Sequence, residues 1–137
     1  MCVFPNNRKE SCMKKDKMIY KVLLKRNNEL ISPVRKFKWK PWTLYKTRLG
    51  EPKYSNIAGK IFEVNRGFYA FVKVEDAIKY CEKTVEYLNR NPYRDIDSVI
   101  VFKGSIPAGA HYFEDDYAII ANKMGIFPEE IYKIEIN

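Results

Sequence analysis

The chain has 137 residues, enough for one domain with its own core, and its 46% hydrophobic and 15% aromatic content excludes a disordered protein. It has no run of 18 apolar residues and no apolar leader, so we expect neither a membrane partner nor secretion, but a cytoplasmic protein. The net charge of +8 is lopsided: residues 1–60 carry 16 Lys and Arg against 4 Asp and Glu, and residues 61–137 carry 9 against 13. Such a basic half attracts anionic partners, unless the two halves neutralise each other in the fold or in a dimer.

Residues 1–17 are polar and show no periodicity, which predicts a flexible basic N-terminal tail followed by a single domain over 18–137. A basic arm that contacts a partner is the alternative for this tail. The domain opens with an apolar strand at 18–25 and a turn at 26–29, where two asparagines tolerate a positive φ.

The next segment, VRKFKWKPWTLYKTR (34–48), alternates aromatic and basic residues. Phe37 and Trp39 fall on one side of this period-two pattern, which predicts a strand with an aromatic face and a cationic face. The lysines on the cationic face are Lys36, Lys38 and Lys40. An ordinary amphipathic strand, with its rings in the core and its lysines in water, is the alternative.

The second half of the chain contains one strong helical pattern and several short extended runs. Apolar residues recur at three- and four-residue steps from about 74 to 90, which predicts a helix with Cys81 on its buried stripe. Strands are predicted at 97–106, on both sides of the acidic residues 114–116, and at 131–136, with a break at NKMG (122–125). Because no βαβ alternation occurs, we predict an α+β fold, in which a curved antiparallel sheet of several short strands packs one main helix on a face.

The stretch GSIPAGAHYFEDDYAIIANK holds the only histidine, His111, followed by three acidic residues. No second histidine is available, and the three cysteines form no C-x-x-C pair, so a metal site is not predicted. Consecutive acids in a turn are usually solvated, and no nucleophile motif, Walker loop or dinucleotide fingerprint is present. The sequence therefore gives no catalytic residue, metal ligand or cofactor, and leaves open whether the protein is an enzyme while favouring a turn here.

Three segments resemble a group of small phage and bacterial domains of unknown function. They are SPVRKFKW (32–39), GFYAFVKVEDAIKYC (67–81) and IPAGAHYF (106–113), and Tyr69 stands where that group often has histidine. The resemblance implies a phage- or mobile-element-encoded protein that works in the host-cell cytoplasm, with a counter-defence role such as inhibition of a CRISPR effector or capture of a signalling nucleotide.

The GFYA segment also looks like a strand-to-helix step of ADP-ribosyltransferases. That resemblance implies an enzyme in which Arg26, Tyr69 and Glu114 act together. A protein–protein adaptor with a charge-divided surface, able to form a homo-oligomer, is a further alternative.

The basic and aromatic residues of the first half give the preferred hypothesis, a small non-enzymatic binding or inhibitor protein. Its partner is nucleic acid, a nucleoprotein complex or a nucleotide ligand, because lysines and arginines bind phosphates and an exposed tryptophan stacks on a base. The residues predicted to make this contact are Arg26, Arg35, Lys36, Lys38, Trp39, Lys40, Trp42, Lys46 and Arg48.

Overall fold

The computed structural model describes residues 10–33, 37–50, 66–90, 95–114 and 118–136, and the backbone of 52–54 and 62–64. The elements in chain order are β1 Ser11–Cys12, β2 Lys17–Arg26, β3 Glu29–Ile31, β4 Lys38–Trp39, β5 Tyr45–Lys46, β6 Pro52–Tyr54, β7 Phe62–Val64, β8 Phe68–Phe71, α1 Val74–Arg90, β9 Ser98–Ile106, β10 His111–Glu114, β11 Ala118–Ala121 and β12 Lys123–Glu135.

The described strands form one ten-stranded sheet and a separate β6–β7 pair, and every pairing is antiparallel. The main order is β1-β10-β11-β8-β2-β9-β12-β5, with β3 on β2 and β4 on β3. The sheet is curved and open, and α1 packs on one of its faces. The predicted α+β class is therefore confirmed.

The central strands β2 and β9 bury both of their faces, which explains why their sequences are nearly continuous apolar runs. Ile19 and Ile100 belong to the core on the inner face of the curve. Val22 and Val101 belong to a second core, which lies between α1 and the opposite face of the sheet. We call that face the outer face.

The helix begins at Val74 and ends at Arg90, as predicted. Ala77, Cys81 and Leu88 are buried on its apolar stripe. The Cys81 thiol contacts the Val99 carbonyl at 3.6 Å, and burial, followed by the nearby Glu82 charge, raises its pKa to about 11. This thiol is a core group, as the sequence predicts.

Two sequence predictions about element boundaries are wrong. The supposed break at 122–125 is the start of β12, which runs for 13 residues and pairs with β9 through two register irregularities. Pro128 lies within the first irregularity, between Ile126 and Glu130, where the missing N–H of a proline is tolerated. Gly125 gives the Thr43 segment room to approach β12, because the Thr43 carbonyl oxygen lies only 3.0 Å from the place a Cβ would occupy.

The predicted tail is wrong for residues 10–17. Ser11 and Cys12 pair with β10, and the Met13 side chain is buried in the inner core. The Met13 N–H donates to the Ala110 carbonyl, and its own carbonyl accepts from the Gly109 N–H, both at 2.7 Å. The predicted tail residues 1–9 lie outside the described residues. The signal that was missed is the lone apolar Met13, which docks against the 107–110 turn.

Candidate functional site

The structure distributes the predicted binding residues instead of gathering them. Arg26 and Lys38 lie near Glu29, whose carboxylate pairs with the Lys38 ammonium at 2.9 Å. The hydrogen bond and charge of Lys38, with a smaller contribution from Arg26, lower the pKa of Glu29. Lys38 is therefore paired within the chain, while Arg26 has only a weaker charge interaction with the same carboxylate. Arg35 and Lys36 lie outside the described residues.

Trp39 is buried, with 3% of its surface exposed, and so the prediction that it stacks on a partner is wrong. Its ring centroid lies 5.1 to 5.4 Å from those of Phe37, Tyr45 and Phe68. The indole N–H donates to the Ser32 hydroxyl at 2.8 Å, so its polar atom is satisfied inside the fold. The amphipathic-strand alternative was the correct one for this ring.

Lys21 is a buried cation that the sequence reading did not single out. Only 6% of it is exposed, its Nζ lies 4.9 Å from the centroid of Trp39, and it donates to the Tyr69 carbonyl. Strands β2 and β8 register only at Tyr20 and Phe71, and the lysine reaches the β8 backbone beyond that point. Burial lowers the pKa of Lys21 to about 7. The sequence signal that could have indicated a buried lysine is the position of Lys21 inside the apolar run of β2, a strand that buries both of its faces.

Trp42 has the opposite environment to Trp39. Its side chain is 74% exposed, and its backbone has a φ of 65°, a left-handed conformation that bulky residues rarely adopt. The backbone is held there by the Trp42 N–H, which donates to the Ile126 carbonyl at 2.9 Å, while the ring packs on Phe127 at 5.2 Å. An open groove of about 440 Å³, the Trp42 groove, is lined by Met18, Trp42, Lys103, Phe127, Pro128 and Glu129.

Lys46 and Lys123 face each other in the β5–β12 register, and we call them the lysine pair. Like charges directly opposite on neighbouring strands destabilise a sheet. No carboxylate lies within ion-pair distance of either lysine among the described residues. Lys123 precedes Phe127 by four residues on β12, about 14 Å at strand spacing, and a register irregularity begins after Ile126. The lysine pair and the Trp42 groove are therefore neighbours along β12.

Lys40 and Arg48 are exposed at the two ends of the segment that joins these features. The Lys40 backbone N–H donates to the Tyr45 hydroxyl at 2.9 Å, and the Lys40 ammonium forms no ion pair with a described residue. Of the ion pairs between described residues, only that of Glu10 with His111 joins residues 1–60 to residues 61–137. Within the described part of the chain, the acidic half therefore does not neutralise the basic half through direct pairs.

His111 opens β10, as predicted, but its surroundings were not foreseen. Its Nδ1 lies 2.7 Å from the Glu10 carboxylate, and both ring nitrogens lie 3.8 Å from the Cys12 sulfur. Sequence reasoning missed this group because Glu10 and Cys12 were placed in a tail. Glu114 ends β10, and the other two acids of the trio lie outside the described residues.

The described residues contain no group of three or more His, Cys, Asp and Glu arranged to hold a metal ion. The one helix among the described residues is too short and too polar to cross a membrane.

Arg26, Tyr69 and Glu114, the residues of the ADP-ribosyltransferase alternative, do not lie together in the fold. By register, Tyr69 lies level with Val22, which puts Arg26 about 14 Å further along β2. Glu114 lies two strands away from β8, on β10.

Comparison of the chain with protein-family models, with curated proteins and with solved structures gives no match. The resemblances drawn from the sequence segments therefore stay predictions.

Proposed function

We propose that this protein is a small binding protein that holds single-stranded nucleic acid on the surface formed by the Trp42 groove and the lysine pair. The bases stack on Trp42, and the phosphates contact Lys46 and Lys123. Aromatic rings beside a cationic track are the usual means by which proteins bind single strands without reading their sequence.

The observation that carries the proposal is the presentation of Trp42. A left-handed backbone at a bulky residue costs on the order of 1–3 kcal/mol, and a ring that is three-quarters exposed recovers little of that cost by burial. Such strain is retained where it serves a site. A base that covers the indole would bury the surface that the fold leaves open.

The charge distribution supports the same surface. The chain carries +8 overall, and the lysine pair keeps two like charges adjacent with no carboxylate beside them in the described residues. A phosphate between the two ammonium groups would convert this repulsion into attraction. The groove is open rather than enclosed, which favours a polymer that passes through it over a free nucleotide that must be surrounded.

The cellular role that we propose, from the size of the chain and its resemblance to small phage domains, is counter-defence. In that role the single strand is free or is part of a nucleoprotein effector. The ADP-ribosyltransferase alternative has no converging residues to support it, and the adaptor alternative is an outcome of the test below.

The test is titration of a fluorescent twelve-nucleotide oligo-dT with the protein at low salt, with a duplex and free nucleotides as competitors. Trp42→Ala should weaken binding by about 5- to 160-fold, since one stacked base contributes on the order of 1–3 kcal/mol. Tyr87→Ala is the matched control, because Tyr87 is an exposed aromatic residue on α1, away from the groove. It should bind like the parent protein.

Absence of oligo-dT binding at low salt overturns the proposal. If free nucleotides bind tightly while oligo-dT does not, a nucleotide partner replaces the single strand. If only a second copy of the chain or an acidic protein binds, the adaptor alternative is correct.

A further inference from the structure

Cys12, His111 and Glu10 form a group that the binding proposal does not use. Cys12 on β1 and His111 on β10 are register partners, so their side chains emerge side by side from the sheet. The Glu10 carboxylate lies 2.7 Å from His111 Nδ1, and the Cys12 sulfur lies 3.8 Å from both ring nitrogens. The Cys12 residue is exposed, so a small reagent can reach its sulfur.

The carboxylate fixes what the imidazole can do. Glu10 accepts a hydrogen bond from Nδ1–H, which leaves the lone pair of Nε2 unoccupied in the neutral ring. The backbone of His111 is held in place, because its N–H donates to the Asn122 side-chain oxygen at 2.9 Å and its carbonyl accepts from the Asn122 N–H at 3.0 Å. A nucleophile beside a base, which is itself oriented by a third group, is the arrangement that activates thiols in proteins.

We propose that Cys12 is a reactive thiol, activated by His111 and Glu10, that exchanges with small disulfides. The Cys12 sulfur attacks one sulfur of the disulfide, a new S–S bond forms, and the original S–S bond breaks. The thiol proton passes to His111 Nε2, and the departing thiolate then takes a proton from the imidazolium. The products are a mixed disulfide at Cys12 and one free small thiol, so electrons and protons balance without a further oxidant.

The second described cysteine gives an internal reference. Cys81 is fully buried on the side of α1 that packs on the sheet, and burial raises its pKa to about 11, so both access and thiolate formation are unfavourable there. The same reagent on the same molecule therefore compares an activated, exposed thiol with an inert one.

The test uses the full chain with Cys2→Ser, since Cys2 lies outside the described residues, and glutathione disulfide as the probe. The rate of mixed-disulfide formation at each cysteine is followed by mass spectrometry of the intact protein and its peptides. We expect modification at Cys12 and not at Cys81, and a fall in the Cys12 rate of about tenfold in His111→Gln and of several-fold in Glu10→Gln. Ser11→Ala, at the neighbouring position of β1 where the side chain faces the other way, should keep the parent rate.

A second comparison needs no His111 or Glu10 variant: the reaction rate of Cys12 in the folded protein is compared with its rate in the same chain unfolded in urea. Cys12 should react faster in the folded protein than in the unfolded chain at the same pH, although folding lowers its exposure. Equal rates in the two states, or a His111→Gln variant that reacts as fast as the parent, would overturn the proposal. If His111→Gln does not fold, the Glu10→Gln rate and the folded-to-unfolded ratio decide the matter.

Discussion

Lys21 predicts a specific dependence of stability on pH. The pKa of its ammonium is lowered from 10.5 to about 7 by burial, while in the unfolded chain it keeps its ordinary value. Between these two values the unfolded chain binds one proton more than the folded protein, so the free energy of unfolding rises with pH. The stabilisation is absent below pH 7 and grows until the unfolded lysine titrates near pH 10.5.

The size of this effect follows from the shift. One pKa unit corresponds to about 1.4 kcal/mol, so the whole shift amounts to a ceiling of roughly 5 kcal/mol. The Tyr69 carbonyl and the Trp39 ring both favour the charged form, which reduces the effect that is realised. Over the narrower interval from pH 6 to pH 8.5, we expect a gain of about 2 kcal/mol.

The assay is urea unfolding of the parent protein and of Lys21→Met across this interval. Methionine keeps the length and packing of the side chain but has no ionisable group, so every other titrating group is shared by the two proteins. The free energy of unfolding of the parent should therefore rise by about 2 kcal/mol relative to that of Lys21→Met between pH 6 and pH 8.5, whichever protein is the more stable at pH 6. If the difference between the two free energies of unfolding stays constant from pH 6 to pH 8.5, Lys21 is not a buried group whose pKa is lowered by folding.

Three substitutions test the packing. Ser98→Ala should raise the free energy of unfolding by about 1 kcal/mol, because the buried Ser98 hydroxyl has no hydrogen-bond partner among the described residues; a lower urea midpoint would contradict this. Gly104→Ala should lower the free energy of unfolding by about 1–3 kcal/mol, since a Cβ there would lie 2.6 Å from the Gly125 carbonyl oxygen and 2.8 Å from Ile19 Cδ1. An unchanged urea midpoint would show that β9 and its neighbouring strands can move apart without cost. Trp39→Ala should cost about 3–5 kcal/mol in urea unfolding, and a loss below 1 kcal/mol would mean that the ring is not part of the core.

The sequence alone predicted the elements whose hydrophobic periodicity matches the side chains that the fold buries. The α1 stripe and the apolar runs of β2 and β9 depend on local patterns, so the helix bounds and the fold class followed from them. β12 was cut short because a glycine within an extended run often marks a break, whereas Gly125 lies inside β12 with the Thr43 carbonyl oxygen 3.0 Å from the place a Cβ would occupy.

The candidate sites were less accessible to sequence reasoning because they depend on contacts between distant residues. Trp39 and Trp42 are three residues apart and look equivalent, yet the turn at 41–42 sends one ring into the core and the other into solvent. Lys123 was not predicted at all, since only the register places it beside Lys46. Cys12 and His111 are separated by 99 positions, and only the β1–β10 pairing joins them.

The most direct test of the proposed surface is the salt dependence of oligo-dT binding to a Lys46→Gln, Lys123→Gln protein. A matched control, Lys79→Gln with Lys83→Gln, removes the same charge from exposed positions on α1. If the lysine pair neutralises two phosphates, the slope of log affinity against log salt should become shallower by about 1.4 in the first protein and stay at the parent value in the control. Equal slopes in all three proteins would contradict phosphate binding by the lysine pair.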